Sequence, residues 1–99
     1  MMGASGVRQA HERGVLAIRV HPRDNVAVLA ADVQAGNAVC LDDGTEVRSV
    51  EAVARGSKVA LISIRRGEAV IRYGEEIGRA TEDIAAGQHV HTHNLRRGG

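Results

Sequence analysis

Aromatic residues are almost missing from this 99-residue chain: Tyr73 stands alone, with no Phe and no Trp. A core must therefore be assembled from small aliphatic side chains, and a stacking platform for single-stranded nucleic acid is excluded. Cysteine is as scarce. Cys40 is the only thiol, so no intrachain disulfide forms and a Cys-based structural zinc site is ruled out. Between Val39 and Leu41 it reads as a small buried hydrophobe. Neither sign of charge dominates: 13 Lys and Arg against 12 Asp and Glu leave a net +1, too little to draw in a polyanion. No apolar run approaches the ~20 residues of a membrane-crossing helix, and the first residues lack the apolar centre of a signal peptide. A cytoplasmic protein without nucleic-acid or membrane partners is expected.

What is abundant is β-branched and small. Valine occurs 13 times, isoleucine six times and leucine five times. β-branched side chains suit a pleated, half-buried surface and lose rotamer freedom in helices, so the composition leans towards β structure. The length fits one small domain. Residues 1–14 are polar and Gly-containing and read as a loose arm, with a solvated His11. Residues 15–95 read as the domain, and 96–99 as a frayed tail.

Within the domain the sequence repeats itself. "VQAGNAV" begins at Val33, "VARGSKV" at Val53, "IRRGEAV" at Ile64 and "IAAGQHV" at Ile84, with spacings of 20, 11 and 20. Each repeat is a β-branched residue, two others, Gly, two others and Val. The Gly suits a turn position with positive φ, and the Val is expected to start the next strand. The long–short–long order suggests two related halves folded on each other. Strands are expected at Val15–Val20, Val26–Ala30, Val39–Leu41, Glu46–Val50, Lys58–Ile62, Ala69–Tyr73 and Gln88–Asn94. Asp24 to Gln34, rich in Ala, is the one stretch with a helical alternative. The fold class is all-β, built of many short strands.

Three of five histidines crowd into "GQHVHTHNL", Gly87 to Leu95. In an extended strand His89, His91 and His93 share one face and Val90, Thr92 and Asn94 the other. Same-face neighbours then sit ~6.5–7 Å apart, so two imidazoles can converge on one ion but not all three. A third ligand would come from elsewhere, with His21 and Asp24 as candidates; Fe(II), Mn(II) or Zn(II) suits such N and O donors. Acid–base work near neutral pH is the second active reading, and a plain solvated strand face is the third. Val90 and Thr92 interrupt the run and argue against a purification tag. Elsewhere, Asp24 follows Pro22-Arg23 and suits turn capping. Lys58 and Arg72 suit exposed strand faces, Tyr73 suits amphipathic packing, and Arg65-Arg66 suits a turn surface.

Several segments occur together and in order: "AIRVHPRDNVAV", "KVAL", "VIRYGEEIGRAT", "DIAAG" and "HVHTHNL". Over Val15 to Leu95 they resemble the SAF domain of the altronate dehydratase family, which includes galactarate dehydratases and the small subunit of sulfolactate sulfo-lyase. The resemblance implies a β-clip fold, a long bent hairpin closed on itself. It implies the small subunit or N-terminal domain of a hydroxy-acid dehydratase or lyase, with a large catalytic partner, a small hydroxy-acid substrate and divalent Fe2+ or Mn2+. By position, His91, His93 and Asn94 match the family's histidine–asparagine motif; His21, Asp24 and Asn25 match its first loop; Tyr73, Gly74 and Gly78 its second motif. His91 and His93 are thereby candidate catalytic residues and, with His21, metal ligands. His21, Asp24, Asn25, Lys58, Tyr73 and Asn94 are candidate substrate-binding residues. His89 falls where the family specifies nothing. Two departures bear on the substrate: Ser57 stands where the family often has His, and Arg72 where it often has Lys. A non-catalytic sugar-acid-binding or assembly module is the alternative, and the isolated chain is expected to self-associate through its partner-facing surface.

Overall fold

A computed structural model describes residues 14–97. Most of the arm expected at 1–14, His11 included, lies outside them. The all-β expectation holds: the described residues contain nine strands and no helix, and hence no helix long and apolar enough to cross a membrane. The strands are β1 (Gly14–Ile18), β2 (Val26–Leu29), β3 (Ala38–Cys40), β4 (Glu46–Arg48), β5 (Lys58–Ala60), β6 (Ala69–Arg72), β7 (Glu75–Ala80), β8 (His89–Val90) and β9 (Leu95–Arg97). Six form one sheet in the order β4-β3-β1-β2-β5-β8, and three form another, β6-β7-β9.

The fourfold repeat is the skeleton of both sheets. Val33 bridges Val53, and Ile64 bridges Ile84. In each repeat the Gly (36, 56, 67, 87) has φ between 86° and 90°. The next residue's N–H closes a four-residue turn, Asn37 onto Gln34, Ser57 onto Ala54, Glu68 onto Arg65 and Gln88 onto Ala85. A third turn residue at φ near +80° is the type II arrangement, which favours Gly. The closing valines, Val39, Val59, Val70 and Val90, are fully buried. Each is the second residue of its strand and not the first, because the residue before it (Ala38, Lys58, Ala69 or His89) already joins the ladder.

Two cores result. Val33, Val39, Val53 and Val59 meet Ala17, Ala27, Leu29, Leu41 and Leu61 in the first. Ile64, Val70, Ile84 and Val90 meet Val26, Ala60, Ala80 and Leu95 in the second. Each repeat pair therefore seeds one half, as the spacing suggested. β2 and β5 form the shared wall. Their alternate residues face opposite ways, so Ala27, Leu29 and Val59 enter the first core while Val26 and Ala60 enter the second. Each buried valine contributes about 1.5 kcal/mol or more, which is how a chain with one aromatic holds together.

Several expectations need correction. Asp24 to Gln34 is β2 followed by loop, not helix. Cys40 is half-buried. "EEIGRA" forms β7, which its polar, glycine-interrupted pattern concealed. Arg96 and Arg97 are paired with Arg79 and Gly78 in β9 instead of fraying. The strand expected at Gln88–Asn94 stops at Val90, and His91 to Asn94 form a turn.

Candidate functional site

The two histidine-bearing segments fold the same way. In His21-Pro22-Arg23-Asp24, the Asp24 N–H donates to the His21 carbonyl at 2.9 Å and the Asp24 Oδ2 accepts the His21 N–H at 3.0 Å. In His91-Thr92-His93-Asn94, the Asn94 N–H donates to the His91 carbonyl at 3.0 Å and the Asn94 Oδ1 accepts the His91 N–H at 2.9 Å. Both are tight turns with the first N–H capped by the fourth side chain, the local chemistry for which Asp and Asn are suited. This capping ends the strand at Val90 and overrides the alternation inferred for an extended segment. His21 and His91 thus occupy equivalent corners, both exposed, while Asp24 and Asn94 are buried.

Asp24 also ties its turn to the β6–β7 hairpin: its Oδ1 accepts the Gly74 N–H at 2.8 Å. Burial acts to raise the Asp24 pKa. The N–H groups of Gly74, His21 and Tyr73 and the nearby His21 ring outweigh it and hold the carboxyl below its ordinary value. The hairpin tip, Tyr73-Gly74, has φ of 59° and 75°, the two positive angles of a type I′ turn that usually carries Asn-Gly. A Cβ on Gly74 would stand 2.9 Å from the His21 ring, so the glycine leaves room for that imidazole. His21 Nδ1 accepts the Arg23 N–H at 3.0 Å, which leaves Nε2 as its outward-facing nitrogen. Tyr73 is largely exposed, and the Arg72 guanidinium lies 4.4 Å from its ring centroid.

Three of the candidates are committed to the framework. Asn25 acts as a strand surrogate: its side chain donates to the Ala69 carbonyl at 3.0 Å and accepts the Ile71 N–H at 2.8 Å, joining β6 to the start of β2. Asn94 also donates to the His89 carbonyl at 2.8 Å. Asp24 has both oxygens occupied by backbone. These three, named from the sequence as substrate-binding candidates, brace the groups that face outward.

The turn draws the histidine rings together around His89. Its ring centroid lies 5.2 Å from that of His91, in a stacked pair, and 5.7 Å from that of His93. His89, set aside in the sequence because the family specifies nothing at its position, takes a central place that only the turn reveals. Its N–H donates to Glu51 at 3.0 Å, and its buried Nε2 has no partner. Burial, then the His91, His93 and Lys58 charges, hold the imidazole below its ordinary pKa; Glu51 opposes them. Glu51 too went unnoticed in the sequence. Among the described residues no group of three or more His, Cys, Asp or Glu side chains is arranged to hold a metal. His21 Nδ1 and both Asp24 oxygens are already engaged, so on this face the donors left to an ion are the His21 Nε2 and the rings of His91 and His93.

Lys58, on β5, is half-buried and lies opposite Val28 and Val90. Two surface grooves are lined elsewhere, one of about 300 Å³ by Arg66, Gly67, Arg79, Ala80, Thr81 and Arg96, the other by residues around Ile64 and Ile84. None of the candidate residues lines either of these two grooves, and His21, His91 and His93 are exposed.

Comparison with known proteins gives these features a context. The profile of the altronate/galactarate dehydratase SAF domain matches residues 15–98. Altronate dehydratase of Escherichia coli (strain K12) is 52% identical over 79 residues, which cover 80% of this chain and 16% of that enzyme. Galactarate dehydratase (L-threo-forming) of the same organism is 38% identical over 73 residues, 74% of this chain and 14% of the enzyme. Subunit alpha of (2R)-sulfolactate sulfo-lyase from Paracoccus pantotrophus is 49% identical over 41 residues, 41% of this chain and 61% of that subunit. The chain thus spans about a sixth of the length of the dehydratases it resembles. With its two-half all-β architecture and a profile match across nearly all of its described residues, this chain belongs to the altronate/galactarate dehydratase SAF-domain family.

Proposed function

We propose that this chain is the small subunit, or N-terminal domain, of a sugar-acid dehydratase or related lyase, and that it brings His91, His93 and His21 to an active site completed by a larger catalytic partner. The observation that carries this is the pair of matched turns, in which buried Asp24 and Asn94 hold exposed histidines. Elimination of water from a hydroxy acid needs a base for the proton beside the carboxylate and an acid for the departing hydroxyl. Exposed imidazoles on braced turns suit both tasks. Thr92 Oγ1 lies 3.2 Å from His91 Nδ1 and can orient that ring. Any divalent ion at the completed site would draw donors from the partner. The test is co-expression with a large subunit of the altronate dehydratase type and assay on altronate, galactarate and sulfolactate. Turnover should rise over the large subunit alone, and His91→Ala or His93→Ala should lower kcat by roughly 10²–10⁴-fold. No gain on adding this chain would sink the proposal.

A second reading, a non-catalytic assembly module, draws on the exposed apolar residues Leu16 and Ile18 on one face of β1. It expects the histidine variants to leave kcat unchanged while complex formation or KM suffers.

A further inference from the structure

Three cations border the second core. Lys58 shares the face of β5 that carries Ala60, and Arg97 shares the face of β9 that carries Leu95; Ala60 and Leu95 both belong to that core. Arg72 ends β6, whose Val70 lies in the same core. In the smaller sheet Val70, Gly78 and Arg97 form one cross-strand row, and Leu95 packs against the bare Cα of Gly78. Like charges gathered this way oppose one another, and the surroundings offer little relief. Among the described residues the side-chain ion pairs are Arg19–Asp43 and Arg79–Glu76. Glu75 lies opposite Arg72 across the hairpin without pairing with it, and Glu51 is turned to the His89 N–H.

Two nitrogens near this cluster are buried without an acceptor or donor: Arg72 Nε and His89 Nε2. A guanidinium N–H withdrawn from water and left unpaired is costly, and native structures keep few such groups. Arg72 is held there by its stacking on Tyr73. Lys58 is strained in the same sense: burial, then the Arg72 and Arg97 charges, hold its ammonium below the ordinary lysine pKa. Its charge in turn acts on His89, so Lys58 lies between the arginine rim and the histidine cluster.

We propose that Lys58 and Arg72, with Arg97 beside them, bind the carboxylate of a small organic acid, with Arg72 Nε donating to one carboxylate oxygen. A carboxylate would supply the missing acceptor, relieve the like-charge crowding, and place the acid's adjoining carbons towards His89 and its neighbours. The proposal rests on the dehydratase reading only for which acid is bound.

The test uses the full 99-residue chain labelled with 15N. The Arg72 Nε–H resonance is followed during titration with gluconate, with glucitol as its neutral counterpart and sulfate as an inorganic anion. Gluconate should shift this resonance saturably and glucitol should not. Lys58→Met and Arg72→Gln should each weaken binding by roughly tenfold or more, as for loss of one charge-assisted hydrogen bond. Lys58→Met should at the same time raise the Tm of the free chain, an outcome that a purely structural lysine would not give. No saturable shift, an equal response to sulfate, or undiminished affinity in both variants overturns the proposal. Should a variant fail to fold, the wild-type titrations decide alone. Because turnover is not read, this result is independent of whether a large subunit is activated.

Discussion

Asp24, Asn37, Glu68, Gln88 and Asn94 each accept the N–H of the residue three places earlier while their own N–H returns to that residue's carbonyl. The device is local, and the sequence displays it as an acceptor side chain at the end of each turn. In the two histidine turns it is also buried, which raises its cost of removal. Asn94→Ala would leave the His91 N–H and His89 carbonyl unpaired, and a loss of about 2–3 kcal/mol is expected in urea unfolding. Asp24 adds a pH signature. Its folded carboxyl titrates below the unfolded value, so the unfolded chain binds the proton more readily between the two. The stabilisation is intact above about pH 4 and is lost as pH falls through the folded value. Asp24→Asn should be the less stable protein at pH 6, and the gap in urea midpoint should close on acidification; a constant gap would contradict this role.

At the scale of elements, the β6–β7 hairpin and the repeat turns show where local preference and tertiary need part company. Tyr73 holds φ of 59°, where a bulky side chain is uncommon. Tyr73→Asn restores the usual type I′ pair and should raise the stability of the free chain by about 0.5–1 kcal/mol, while turnover of the complex falls. Stability unchanged or lowered would show that the ring's contact with Arg72 outweighs the backbone strain. The four repeat glycines share one conformation yet differ in surroundings. A Cβ at Gly56 meets open space, whereas at Gly87 it would run into the Arg48 carbonyl. Gly56→Ala should cost about 1–2 kcal/mol for backbone conformation alone, and Gly87→Ala distinctly more. Thermal melts of the two variants check the order.

Seen as a whole molecule, the protein divides its apolar surface between two small cores and leaves some outside them. Leu16, Ile18 and Val20 lie about half exposed, as do Val50 and Ile62. Leu16 and Ile18 share one face of β1, beside Cys40 and Val28 in the adjoining strands. A face of this kind favours association. The isolated chain should show concentration-dependent self-association by light scattering, and Ile18→Lys should shift it towards monomer. A sharp monomer at all concentrations would place the apolar stripe outside any interface.

The repeat, the positive-φ glycines and the β-branched bias were legible because each is a local constraint: a turn needs its glycine, and a pleat suits valine. From these came the all-β class, the two halves and most strands. The motif residues were legible by family likeness, but their division of labour was not. Asp24, Asn25 and Asn94 look as available as the histidines until packing shows their polar atoms consumed by backbone groups up to 50 positions away. β7 and β9 were hidden because charged residues line their exposed sides, so pairing and not pattern defines them. The central place of His89 and the cation rim at Lys58, Arg72 and Arg97 depend on which turns end which strands, and on segments far apart in sequence closing over one core. Local chemistry determined the pieces; only the long-range contacts decided which side chains hold the frame and which remain free to meet a ligand.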